Sequence, residues 1–402
     1  MSQTYERLMH TALRYPIIDN HCHNLLKATS RDHFTLERLT SENDGSPGDG
    51  LPHASFTLAH MRAVRQLAKL YECDPNWAAV KQARASLEYD ELCRRCFADQ
   101  NIYGLLIDTG LATVPNHCEP VEWHAKWTTG GVSKTIIRVE AVAEGILNDM
   151  MSRCEERPPV MDDFLERFKS LLSSLAQDEG VVGFKSIICY RTGLEIALNP
   201  ERTNTVDQSI MSSLFNNYRK AGAVRICHRL LNDTIAHLTL SIAAHFNFTQ
   251  ALAIRDLRIH KANPSLLQPV IDKYKDTQIV LLHASYPYTR EAGYLASVYG
   301  NVYVDIGEIW PYASADAQRT AIRHAMDLCP TNKILFSTDA HHWPDGYFLA
   351  VQQGRAAFHE VFSDYVRRSD LTEDEAILIV RGIYFHNTNR LYKLGLAEPL
   401  AN

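Results

Sequence analysis

Residues 16–24 read PIIDNHCHN, an apolar run that ends in two histidines one residue apart. Side chains two positions apart on a strand leave the same face, so His21 and His23 are expected to converge. Two imidazoles at a strand end are suited to a divalent metal, with Zn²⁺ preferred. Six further runs of this kind follow: IYGLLID (102–108), TIIRVE (135–140), VVGFKSIICY (181–190), IVLLH (279–283), NVYVDI (301–306) and KILFSTD (333–339). ALAI (251–254) is a weaker candidate for strand five. Helical text separates these runs, and eight strands in that alternation predict a (β/α)₈ TIM barrel whose active-site mouth lies at the strand C-termini.

Other strand ends carry chemistry as well. Asp339 closes the last run and faces the histidine pair, as a third metal ligand and as the acceptor of a proton from metal-bound water. His283 ends strand six, placed as a general acid or base or to polarise a carbonyl. Lys185 lies inside strand four, where an unpaired lysine is costly. It predicts an acidic neighbour, a carboxylated bridging ligand or a substrate-carboxylate contact. Arg191, just past that strand, is the better carboxylate partner. Glu140 and Glu308 end strands three and seven and are further mouth candidates, and His341 and His342 follow Asp339 as loop residues able to touch substrate.

The chain of 402 residues is 46% hydrophobic and carries a net charge of −6 with no basic block, which argues against nucleic-acid or anionic-membrane partners. The first residues lack the apolar core of a signal peptide, and no run is long enough to span a membrane. Nine scattered cysteines fit reduced thiols in the cytoplasm better than a disulfide framework, and Cys93 and Cys96 read as ordinary helix cysteines. The whole chain, 1–402, reads as one barrel domain, with 25–100 as a helical insertion capping the mouth. A helical tract at 203–245 joins strands four and five, and Thr372 with Glu375 forms a capping box on a C-terminal helix. Composition leaves a homo-oligomer open.

DNHCHN, LLHASYPYTREAGYLA and STDAHHWPDGYFLA together resemble the amidohydrolase superfamily, most nearly its amidohydrolase-2 (amidohydrolase-related) branch. Within that branch, PIIDNHCHNLL, YDELCRRCF, RVEAVAE, GFKSIICYRTGL and NVYVDIGE resemble the amidohydrolase domain of FluG and nodulin-like glutamine-synthetase fusion proteins. The resemblance implies a metal-dependent hydrolase. By position, His21, His23 and Asp339 match its ligands, His283 its strand-six histidine, and Lys185 and Arg191 its strand-four block. It also implies a histidine in a His-Thr-Gly turn after strand five. Here the chain runs AAHFNFTQALAIRDLRIHKANP (243–264), which reads as a truncated strand without that turn. His245 is expected at the end of a helix over 225–245, and His260 beyond the strand.

The expected activity is hydrolysis of an amide, γ-glutamyl amides included, or of a lactone. Asp339 would act as base, His283 as polariser or acid, and Lys185 and Arg191 would anchor a carboxylate on a small-molecule substrate. Two alternatives stand beside it: non-oxidative decarboxylation of aromatic acids on the same barrel, and a catalytically impaired relative with a regulatory role.

Overall fold

A computed structural model describes residues 5–43, 45–110, 116–243, 245–248 and 257–398. Eight parallel strands follow chain order around the sheet: β1 Ile17–His23, β2 Ile102–Asp108, β3 Val132–Arg138, β4 Val181–Ser186, β5 His245–Phe248, β6 Gln278–Leu281, β7 Val302–Ile306 and β8 Ile334–Phe336. The Asp339 amide donates to the His21 carbonyl at 2.9 Å and the His23 amide to the Ala340 carbonyl at 2.8 Å, closing β8 on β1. The result is the expected (β/α)₈ barrel. Strands such as Ile102–Asp108 are nearly continuous apolar runs because a parallel sheet wrapped by helices is buried on both faces.

Several boundaries differ from the sequence reading. Strand five is His245–Phe248, in register with Phe184–Ser186 of β4 and His245 opposite Gln278 of β6. The ALAI segment lies outside the described residues, and so does the rest of the apparent gap. His245 opens a strand instead of ending a helix, because the helix before it stops at Ile242. Strand three ends at Arg138, which puts Glu140 in the first turn of the helix Val139–Ser152. There it accepts hydrogen bonds from Ser186 Oγ at 2.5 Å and the Ile187 amide at 3.0 Å, so it ties the end of β4 to the loop that follows. Strand four stops at Ser186, and Arg191 ends a short helix, Ile188–Arg191.

Between β1 and β2 the chain forms 3₁₀ turns and the helix Leu58–Tyr71, and the turn Leu36–Thr40 packs against Ile309–Tyr312, which follows β7. Leu58–Tyr71 starts on the Thr57 hydroxyl, which accepts from the His60 amide. This helix packs against Ile309–Tyr312, and the last helix of the segment, Tyr89–Phe97, packs on Pro344–Arg367. Cys93 and Cys96 are buried in Tyr89–Phe97 as free thiols. The Thr372–Glu375 capping box is present on Glu373–Arg381. Among the described residues no helix is long and apolar enough to cross a membrane.

Gly307 shows how tightly the barrel mouth is built. A Cβ there would lie 1.8 Å from Ser337 Oγ and 2.9 Å from Asp305 Oδ2. It would break the 2.9 Å hydrogen bond that Ser337 donates to Asp305. Gly307→Ala is therefore expected to destabilise by ~1–3 kcal/mol, the usual penalty of overpacking, read as a lower denaturation midpoint. An unchanged midpoint would mean that β7 and β8 are free to part.

Candidate metal centre

Four nitrogen and oxygen atoms converge at the mouth. Asp339 Oδ1 lies 3.3 Å from His21 Nε2, 3.3 Å from His23 Nε2 and 3.4 Å from His283 Nε2. His21, His23 and Asp339 form one group able to hold a metal ion, and His283, Glu308 and Asp339 form a second that shares the aspartate. The two β1 histidines do share a face, with ring centroids 5.1 Å apart.

Each element aims its side chain through a backbone contact. His23 Nδ1 donates to the Asp108 carbonyl at 2.9 Å, which fixes the tautomer and leaves the Nε2 lone pair facing Asp339. Asp19 accepts from the Thr338 amide at 2.9 Å and the Thr338 hydroxyl at 2.5 Å, locking β1 to the turn that carries Asp339. The His283 amide donates to Asp305 Oδ2 at 3.1 Å, and its Nδ1 lies 3.1 Å from Glu308 Oε2. Backbone strain concentrates here too. Of ten non-glycine residues with positive φ among the described residues, six follow β6, β7 or β8: His283, Ala284, Ser285, Glu308, Asp339 and His342. Left-handed backbone at such residues costs of order 1–3 kcal/mol each and persists mainly at functional sites.

The charges divide by position. Burial and the nearby Lys185 ammonium push His21 and His23 down, so both stay neutral, the form that ligates metal. For His283 burial opposes the charge, but Asp339 and Glu308 outweigh it and push it up to about 10. Asp339 is held well below the carboxylate range: burial opposes this, and the charge on His283 prevails.

Lys185 has the acidic neighbour that its burial demanded. Its Nζ lies 3.0 Å from Asp108 Oδ2 and donates to His21 Nε2 at 2.6 Å. Arg138 completes that cluster, 2.6 Å from the same Asp108 oxygen. Sequence reasoning missed Asp108 and Arg138, although IYGLLID ends on an acid just as PIID and NVYVDI contain one. Arg191 is paired with Glu144 at 3.3 Å, on the helix Val139–Ser152. His341 Nδ1 donates to the Asp339 carbonyl at 3.2 Å and lines a small cavity with Asp339, Leu39, Trp310 and Tyr312. His342 is buried against Phe34 and Trp343, and neither ring nitrogen has a hydrogen-bond partner. His260 sits in an exposed 3₁₀ turn, Ile259–Lys261, apart from this group.

The donor set fits a divalent ion. Neutral imidazoles and one carboxylate are ordinary zinc ligands, and Asp339 Oδ1 is buried with no hydrogen bond of its own. One contact competes: Lys185 now engages the His21 Nε2 lone pair, so an ion at His21 requires that ammonium to rest on Asp108 alone.

A family model described as Amidohydrolase, the second of that name, matches residues 140–394. That span holds His283 and Asp339, while His21 and His23 precede it. The chain is 36% identical over 424 aligned residues to protein fluG of Emericella nidulans, covering 99% of this chain and 48% of that one. It therefore spans about half the length of the curated relative it matches. Among solved structures, a candidate metal-dependent hydrolase from Lactobacillus casei superposes with a TM-score of 0.78 at 25% identity, over 96% of this chain and 98% of that one. A uronate isomerase from Thermotoga maritima gives a TM-score of 0.62 at 13% identity, over 96% and 97%, a likeness of fold alone.

Proposed function

Because the chain belongs to the amidohydrolase-2 family, we propose that it is a metal-dependent hydrolase of an amide, γ-glutamyl amides included, or of a lactone. The observation that carries this reading is the convergence of three imidazole Nε2 atoms on one carboxylate oxygen at the barrel mouth. His21, His23 and Asp339 would hold a divalent ion, with Zn²⁺ preferred, which when bound lowers the pKa of water toward ~7. Asp339 takes a proton from the attacking water, since its low proton affinity keeps it ionised. His283, held protonated between Asp339 and Glu308, polarises the carbonyl and passes its proton to the leaving nitrogen. Glu308 holds the His283 ring in place through Nδ1.

The test is turnover of a γ-glutamyl anilide with metal content measured in parallel. Purified protein is expected to carry about one equivalent of divalent metal or more. Removal by a chelator is expected to stop release of the aniline, and added Zn²⁺ to restore it. Release that continues undiminished in metal-free protein would defeat the proposal.

A further inference from the structure

The loop that carries Asp339 leads into the helix Pro344–Arg367, and the start of that helix is held by the segment between β1 and β2. Asp345 is buried, and Arg84 Nε donates to its Oδ1 at 2.9 Å and its Oδ2 at 3.0 Å. The Tyr71 hydroxyl donates to the same Oδ1 at 2.5 Å. Arg84 lies on the helix Trp77–Ala85 and Tyr71 ends Leu58–Tyr71, so both donors belong to the inserted segment. We propose that Arg84 is a positioning residue for the metal centre: through Asp345 it holds the loop after β8 in the path that sets Asp339 among the three imidazoles. This rests on the metal-dependent reading of the site and gives the inserted segment a part in supporting it.

Contacts run from Asp345 to two of the proposed ligands. Tyr347, two residues on, donates from its hydroxyl to the His23 carbonyl at 2.5 Å, so the first turn of the helix also grips β1 at a histidine. In the other direction the loop runs back through Trp343 and His341, which line the small cavity with Asp339 and Gly346. Trp343 Nε1 donates to the Arg31 carbonyl at 2.9 Å, and the Arg31 guanidinium donates to the Leu87 and Ala85 carbonyls at 2.9 and 3.0 Å. Those two residues directly follow Arg84, so the Trp343 and Asp345 contacts draw on the end of the same helix. The loop needs such a hold because its backbone is strained: Asp339 and His342 have left-handed φ, 51° and 63°. Non-glycine backbone in that region persists only where its surroundings over-determine it. One side of the loop is fixed by β1, whose continuation donates from the Leu26 amide to the His342 carbonyl at 2.9 Å. The buried Arg84–Asp345 pair supplies the fixed point on the other side. Apolar side chains of similar volume would often stabilise the fold as well or better. What the pair adds is direction, because a carboxylate gripped by a guanidinium and a phenol has one seat.

Zinc affinity of the full chain, measured by competition with a chelating dye, reads this positioning without any substrate. Arg84→Met combined with Asp345→Asn removes both buried charges together. That double variant is expected to bind Zn²⁺ about tenfold more weakly than wild type or worse, the usual result of losing a residue that supports a ligand. Arg84→Lys, which keeps the charge without the planar guanidinium, is expected to fall between the two. Phe168→Leu is the control: Phe168 is buried in the helix Met161–Leu175, which packs on Val139–Ser152 and Arg229–Ile242. It should lower the denaturation midpoint and leave zinc affinity unchanged. Wild-type zinc affinity in either Arg84 variant, an equal loss of affinity in Phe168→Leu, or no zinc binding by the wild-type chain would overturn the assignment. Failure of the hydrolase reading looks different: neither amide nor lactone is cleaved, while the dependence of zinc affinity on Arg84 persists.

Discussion

Asp339→Asn is expected to lower kcat on a γ-glutamyl anilide by ~10³-fold or more while leaving the fold intact. A positioned general base contributes about 10²–10⁴-fold, and this residue is also a proposed ligand, so metal occupancy should fall in the same variant. Stability should fall modestly, because the buried charge of His283 loses one of its two carboxylate partners and keeps Glu308. Asp339 Oδ1 makes no hydrogen bond, and its backbone, not its side chain, closes the barrel on His21. Its left-handed φ of 51° is one asparagine tolerates as readily as aspartate. Activity, metal content and denaturation midpoint measured on one preparation separate these effects. A variant that keeps kcat within tenfold of wild type would show that the proton goes elsewhere.

The barrel was legible because a strand buried on both faces must be a short apolar run, and seven such runs stand out against helical text. Strand five was not, since HFNF has one aromatic pair interrupted by asparagine and abuts a helix, while ALAI, two residues further on, is more apolar. Boundaries slipped where the chain turns out of the sheet: SIICY and RVE continue an apolar or β-branched pattern after the ladder has ended at Ser186 and Arg138. At the site, the alternation of His21 and His23 placed both on one face, and strand-end position brought His283 and Asp339 to them. Arg191 and Lys185 were visible as cations out of place, but their partners were not. Glu144 and Asp108 lie 47 and 77 residues before them in sequence, and no local period encodes a contact across the barrel.

Asp108→Ala is expected to destabilise the protein by ~3–5 kcal/mol, the usual result of removing one partner from a buried charge cluster. Asp108 is fully buried, and Lys185 is nearly so. The carboxylate receives Arg138 at 2.6 Å, Lys185 at 3.0 Å and the Gly110 amide at 2.8 Å, and alanine leaves all three without an acceptor there. Lys185 would then lean wholly on His21 Nε2 and oppose metal binding, so metal affinity should fall together with stability. The pH dependence has a definite sign. Burial opposes ionisation of Asp108, but Arg138 and Lys185 hold it well below the usual carboxylate range. A depressed carboxylate contributes its stability fully above the unfolded value of ~3.9 and loses it as pH falls through the lower folded value. The gap between wild type and variant should therefore be constant from about pH 5 to 8 and narrow only below ~4. Adding Lys185→Met to Asp108→Ala removes one stranded charge, and exchanging buried ions for apolar groups is often neutral or favourable. The double variant should accordingly be more stable than Asp108→Ala alone. If urea unfolding finds Asp108→Ala within ~1 kcal/mol of wild type, or the double variant weaker still, Lys185 is held by something other than Asp108.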